Sequence, residues 1–346
     1  MGRIFRFMEV CGTHTVNLFR FGLRKVLPRE IELISGPGCP VCVMPQEEVD
    51  FLVEAAREPG VVVCAFGDLL RVPGSKGSLQ EVRAQGGGVR LIYSPMEAVQ
   101  IAAAEPGKKI VLAGVGFETT GPAHAVALLE ARRQRLKNFF FFSALRVMPP
   151  PLRALLSDPD LALDGLLLPG HVSAVIGSRP YTFIAEEFGI PGVITGFEPR
   201  DMLEGLARLL ELAREGQATI EIQYKRVVTP EGNPWGKRLM REVFRPCDGR
   251  WRGLGLIPES KLTLAPDFEE FSAEEALGIE LQPLPEPPGC ACGEILRGRK
   301  RPPDCPLFGK RCTPETPYGP CMVSSEGTCA AYFRFGGEEV TLHVAS

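Results

Sequence analysis

No apolar stretch in the 346 residues is long enough to cross a bilayer, although mean hydropathy is +0.04. The longest, Asn138–Leu145, is strand-sized. Met1–Val10 scatters its charges and has no apolar run ending in a small-residue cleavage site, so no export signal is read and a cytoplasmic address is expected. A basic excess is also absent. The formal net charge is −3, which argues against a nucleic-acid surface or a membrane-binding face. The loop Gly114-Val-Gly-Phe-Glu-Thr-Thr-Gly121 misses the G-x-G-x-x-G frame, because Thr119 stands where the third glycine belongs. A nucleotide-dependent enzyme therefore rests on little. A radical-type enzyme has less support still, because no C-x3-C-x2-C occurs.

Cysteine, by contrast, is abundant and unevenly placed. Of eleven, Cys11, Cys39, Cys42 and Cys64 come early, Cys247 stands alone, and Cys290, Cys292, Cys305, Cys312, Cys321 and Cys329 crowd the tail. A chain this long needs no disulfide staples, and in a reducing compartment clustered thiols act as ligands or redox groups. Cys64 and Cys247 are expected to be buried apolar residues.

From Ile31 to Tyr224 short apolar runs alternate with helix-length amphipathic segments. The runs are Ile31–Ser35, Val61–Phe66, Val89–Tyr93, Lys109–Val115, Asn138–Ala144, Gly165–Leu168, Gly192–Thr195 and Ala218–Tyr224. Continuous apolar strands separated by helices predict parallel sheets covered on both faces. Ile31-Glu-Leu-Ile-Ser-Gly-Pro-Gly and Lys109-Ile-Val-Leu-Ala-Gly-Val-Gly match in type, which suggests a duplication with a period near eighty residues. The expected architecture is α/β: two similar doubly wound, Rossmann-like domains in tandem, 1–107 and 108–225, then a small loop-rich and helical domain, 226–346. Cys290–Tyr332 cannot bury enough apolar surface alone and needs cross-linking.

Four constellations carry chemistry. The tail reads Cys292-x12-Cys305-x6-Cys312-x16-Cys329, without histidine. Thiolates alone suit tetrahedral zinc or an iron–sulfur cluster, and the missing short C-x2–4-C knuckles tilt the choice to the cluster. Gly36-Pro-Gly-Cys39-Pro-Val-Cys42 follows a strand and is expected to open a helix, whose dipole would favour thiolate. Its two cysteines are a redox pair or soft metal ligands. In Glu9-Val-Cys11-Gly-Thr-His14-Thr15 a helix would place the thiol and imidazole on one face, fit for a transition metal or a nucleophile–base pair. Glu118, after the Lys109 strand, is a candidate ligand, proton carrier or orienting group, and His171 likewise follows a strand. Parallel sheets place ligand sites at such strand ends.

Taken together, Met8-Glu-Val-Cys-Gly-Thr-His-Thr15, Gly36-Pro-Gly-Cys-Pro-Val-Cys42, Gly116-Phe-Glu-Thr-Thr120, Cys292-Gly-Glu-Ile-Leu-Arg-Gly298, Cys305-Pro-Leu-Phe-Gly309 and Met322-Val-Ser-Ser-Glu-Gly-Thr-Cys-Ala330 resemble the HypD family of [NiFe]-hydrogenase maturation proteins, over nearly the whole chain. The resemblance implies two α/β domains plus a smaller one bearing a [4Fe-4S] cluster. It implies a scaffold, formed with the small partner HypC, on which iron receives two cyanides and one carbon monoxide. HypE and HypF supply the cyanide, and the group passes to the hydrogenase large subunit. On this chain Cys11 becomes the iron-binding thiolate, shared with a HypC cysteine, with His14 nearby. Cys39 and Cys42 become the redox pair, and Cys292, Cys305, Cys312 and Cys329 the cluster ligands, with Cys290 able to replace Cys292. A free-standing iron–sulfur thiol–disulfide oxidoreductase is the competing reading.

Overall fold

The computed structural model describes residues 3–336. In chain order its strands are β1 (Phe5–Glu9), β2 (Ile31–Ser35), β3 (Val61–Ala65), β4 (Val89–Leu91), β5 (Lys109–Gly116), β6 (Phe139–Leu145), β7 (Gly165–Pro169), β8 (Gly192–Thr195), β9 (Ile220–Ile222), β10 (Phe244–Trp251) and β11 (Gly255–Leu264). They form one parallel sheet in the order β2-β1-β7-β8-β9 and a second in the order β4-β3-β5-β6, with β10 and β11 as an antiparallel pair. No helix among the described residues is long and apolar enough to cross a membrane.

The expected boundaries at residues 107 and 225 are not the ones the fold makes. Among the described residues, one compact unit joins 3–42, 151–233 and 289–336; the other joins 43–150 and 234–288. Each sheet starts with the same connectivity, its first strand flanked by its second and third. The two sets are therefore alike, but they are interleaved rather than in tandem. The proposed duplication fails on the same ground, because β2 is an edge strand of one sheet and β5 is internal to the other.

The strand that sequence periodicity missed decides this division. β1 reads Phe-Arg-Phe-Met-Glu, and its two charges disguise a strand that pairs on both sides, with β2 and with β7. The charges are accommodated: Glu9, fully buried, ion-pairs with Arg24 and accepts from the Ser35 hydroxyl at 2.8 Å. Around β1 a core of Phe5, Phe7, Leu18, Leu33, Leu167 and Val193 closes the first unit. In the second unit Val62, Leu112, Phe139 and Phe141 pack with Phe244, Leu262 and Phe271. Residues 234–288 thus complete that core and do not belong to a separate tail domain. Cys64 lies in the same core, as expected, whereas Cys247 on β10 is only half-buried.

The tail from Gly289 joins the first unit. Its helix Thr328–Phe335 lies against helix Gly12–Arg20, with the Phe19 and Tyr332 rings edge to face at 4.4 Å. In this sheet the chain leaves β1 for β2 on one side and later returns to β7 on the other. Loops diverge at such a switch point and leave a crevice at the carboxyl ends of the strands. The second unit has its own switch point, between β3 and β5.

Candidate functional site

At the first unit's switch point the chain runs from β1 straight into Cys11, the N-cap residue of helix Gly12–Arg20. The neighbouring loop after β2 presses on it: Gly12 N–H donates to the Gly38 carbonyl at 2.9 Å. A Cβ at Gly38 would overlap the Cys11 backbone nitrogen, so only glycine permits this approach. Cys11 is buried, and burial followed by the Glu326 charge pushes its thiol up to about 12. The Thr13 and His14 amides and the Thr13 hydroxyl oppose that rise. Thr13 in turn donates its hydroxyl proton to Glu326.

His14 is fully buried, and desolvation lowers it to about 4, so the ring is neutral at physiological pH. Its Nε2 lies 2.9 Å from the Gly196 carbonyl and 3.0 Å from the Thr195 hydroxyl. A carbonyl can only accept, which assigns the proton to Nε2 and leaves the lone pair on Nδ1. That Nδ1 is buried and has no hydrogen-bond partner. A neutral imidazole with one nitrogen anchored and the other idle is the form that ligates metals. Phe197 stacks on His14 at 4.8 Å and on His171 at 3.8 Å, so β7 and β8 bring a second imidazole to the same edge.

Cys39 and Cys42 form a disulfide with Cα atoms 5.3 Å apart. They do not cap a helix, contrary to expectation. The next helix, Gln46–Ala55, starts only after Pro45, and the residue preceding a proline is steered away from helical backbone. The pair lies instead in a turn, and Cys42 N–H donates to Cys39 Sγ at 3.2 Å.

All six tail cysteines line one small cavity with Ile295, Leu307, Phe308 and Met322. Among the described residues no three His, Cys, Asp or Glu side chains converge on a single-ion position. A tetrahedral zinc needs four sulfurs each about 2.3 Å from one centre. Thiols alone, spread around an apolar cavity, fit the donor chemistry of an iron–sulfur cluster better. Their mutual influences are uneven. Cys312 feels Cys290 and Cys305, and Cys329 feels Cys290, Cys292 and Cys312. Cys321 contacts Cys292 and Cys329, and Cys292 and Cys321 are the deepest, at 2% and 1% exposure. Cys290 thus lies near Cys312 and Cys329, and Cys292 near Cys321 and Cys329.

Cys11, His14, Cys39, Cys42 and the tail thiols thus all belong to the first unit. Glu118 belongs to the second, at that unit's own switch point. Its Oε1 accepts from Met148 N–H at 2.9 Å, Oε2 has no hydrogen-bond partner, and burial raises the carboxyl to about 7. Because the folded state keeps a proton that the unfolded chain releases near pH 4.5, stability falls as pH rises from 4.5 through about 7. Glu118→Gln keeps the acceptor and removes the charge. It is expected to stabilise the protein at pH 8 by on the order of 2–3 kcal/mol and to change little at pH 4. Urea unfolding at both pH values checks this, and equal shifts at the two would contradict it.

Sequence reasoning missed Thr195, Phe197, Ser324 and Glu326. The last two had one usable signal, their position between Cys321 and Cys329.

The profile of the HypD family, described as "Hydrogenase formation hypA family", matches residues 2–336. The chain belongs to the HypD family. It is 47% identical over 335 residues to the hydrogenase maturation factor HypD of Rhodobacter capsulatus, covering 95% of this chain and 89% of that protein. It is 45% identical over 340 residues to HypD of Escherichia coli K12, covering 97% and 91%. Against the hydrogenase expression/formation protein HupD of Azotobacter chroococcum it is 46% identical over 341 residues, covering 96% and 90%. The HypD match includes both switch points and the whole of the described tail.

Proposed function

We propose that this hydrogenase maturation factor is a cytoplasmic scaffold that, with a HypC-like partner, holds iron while it acquires two cyanides and one carbon monoxide. Cyanide comes from HypE, charged by HypF, and the product goes to the [NiFe]-hydrogenase large subunit. One observation carries the reading: a single sheet edge gathers the Cys11 thiol, the idle Nδ1 of His14 and the Cys39–Cys42 pair. Soft thiolate and imidazole donors suit low-spin iron with diatomic ligands. Cys11 supplies the thiolate, with His14 beside it, and the pair supplies thiol redox chemistry.

The tail would hold a [4Fe-4S] cluster, which when bound supplies single electrons. Of the thiols around its cavity, we take Cys290, Cys305, Cys312 and Cys329 as the ligand set, because Cys292 is engaged with the deeply buried Cys321 while Cys290 lies near both Cys312 and Cys329. This replaces Cys292 in the set expected from the resemblance.

A free-standing thiol–disulfide oxidoreductase acting on protein disulfides would need a sulfur that so large a substrate can attack. Cys39 is 3% exposed and Cys42 0%, which weighs against that reading. The test is to purify the protein with its HypC-like partner and record infrared and Mössbauer spectra. Cyanide and carbon monoxide bands together with iron beyond the four cluster atoms support the scaffold. Partner-independent turnover of a disulfide, without those bands, would overturn it.

A further inference from the structure

The turn between Cys321 and Cys329 reaches back to the redox pair. Ser324, 2% exposed, places its hydroxyl 3.4 Å from Cys39 Sγ. That sulfur is in a disulfide and has no proton, so the serine donates. The hydroxyl is oriented for this role, because its oxygen accepts from Glu326 N–H at 3.2 Å. Ser324 N–H donates to the Pro320 carbonyl at 3.0 Å, and Gly327 N–H to the Ser324 carbonyl at 3.0 Å, which holds the turn closed. Cys42 N–H donates to the same Cys39 sulfur at 3.2 Å. Two donors therefore aim at one member of a buried pair.

We propose that Ser324 determines where the negative charge rests when the disulfide opens, on Cys39, and thereby sets the reduction potential of the pair. The inference rests on the redox reading of Cys39 and Cys42. Opening takes two electrons: the S–S bond breaks, Cys42 Sγ takes one proton, and Cys39 Sγ keeps its electron pair as thiolate. A buried thiolate is costly unless hydrogen-bonded, and donors to an ionised acceptor are the strong ones. Two such donors stabilise the reduced form, and stabilising the reduced form raises the potential. Ser324 is the only one of the two donors that a side-chain change can remove.

The test equilibrates the full-length protein in dithiothreitol buffers of graded thiol-to-disulfide ratio, quenches by alkylation and reads Cys39 and Cys42 by peptide mass. The reagent gives two electrons, closes to its own cyclic disulfide and releases two protons, of which Cys42 takes one. Ser324→Ala is expected to need a roughly tenfold more reducing ratio, a fall of about 30 mV. Cys39 in the reduced wild type is expected to alkylate before Cys42, with its pH profile moving up by about one unit in the alanine variant. Ser324→Thr keeps the hydroxyl and should stay near wild type, as should Ser325→Ala at the exposed neighbour. An unshifted alanine variant, a threonine variant that shifts as far as alanine, or first alkylation at Cys42 overturns the inference alone. A wild-type pair that never titrates overturns both it and the redox reading.

Discussion

If the proposed scaffold is right, Cys11→Ala is expected to abolish the cyanide and carbon monoxide infrared bands of the copurified complex while leaving the Mössbauer signal of the proposed cluster in place. The effect is all-or-none because no other thiol follows β1, and the disulfide ties up the two on the adjoining loop. His14 alone, even with Nδ1 idle, offers one neutral donor, too few to hold iron in this crevice. The structural cost is small. Cys11 caps its helix without a side-chain cap hydrogen bond, so alanine removes no such bond. Its neighbours Thr13 and Glu326 remain tied to each other. Loss of both iron signals at once would mean that the variant misfolds, and circular dichroism would reveal it. Persistence of the diatomic bands would remove Cys11 from the iron site.

Cys290→Ser and Cys292→Ser separate the two candidate ligand sets. Cys290→Ser is expected to lose most of the iron and the visible absorbance of the tail cluster, and Cys292→Ser to keep both. Cys290 lies near both Cys312 and Cys329; Cys292 also lies near Cys329, but it is sunk to 2% exposure and its contact is the leading influence on Cys321. A cluster takes four of the six thiols around the cavity, and one engaged with another deeply buried thiol is the one to leave out. Serine preserves size, so the comparison reports ligation rather than packing. The reverse result, iron lost with Cys292→Ser and kept with Cys290→Ser, would restore the set expected from spacing.

The two predictions address chemistry on the same unit. The tail reaches the redox loop through Ser324 and the Cys11 helix through Glu326. Removing the proposed cluster is therefore expected to be felt at the disulfide, and the potentials of the Cys290→Ser variant would record it.

The sequence by itself determined the parallel strands, because a strand buried on both faces must be apolar throughout and such runs stand out. β2 and β8 lie where their apolar runs do. It also singled out three cysteine groups and a histidine as candidates for the chemistry, since thiol type and spacing limit which ions and redox steps are open to them. Tertiary structure alone decided the rest. Periodicity could not reveal β1, whose buried Glu9 is tolerated only because Arg24 and Ser35, distant in sequence, meet it. Without β1 the interleaving of the two units is invisible, because domain membership follows strand pairing and not chain order. Pro45 keeps Cys39 and Cys42 off the helix, and the hydroxyl that meets Cys39 Sγ is that of Ser324, 285 residues away. The proposed preference for Cys290 over Cys292 rests on contacts of the same kind. Two positions apart in the chain, they differ in which sulfurs they face, and the fold of the surrounding loops sets that.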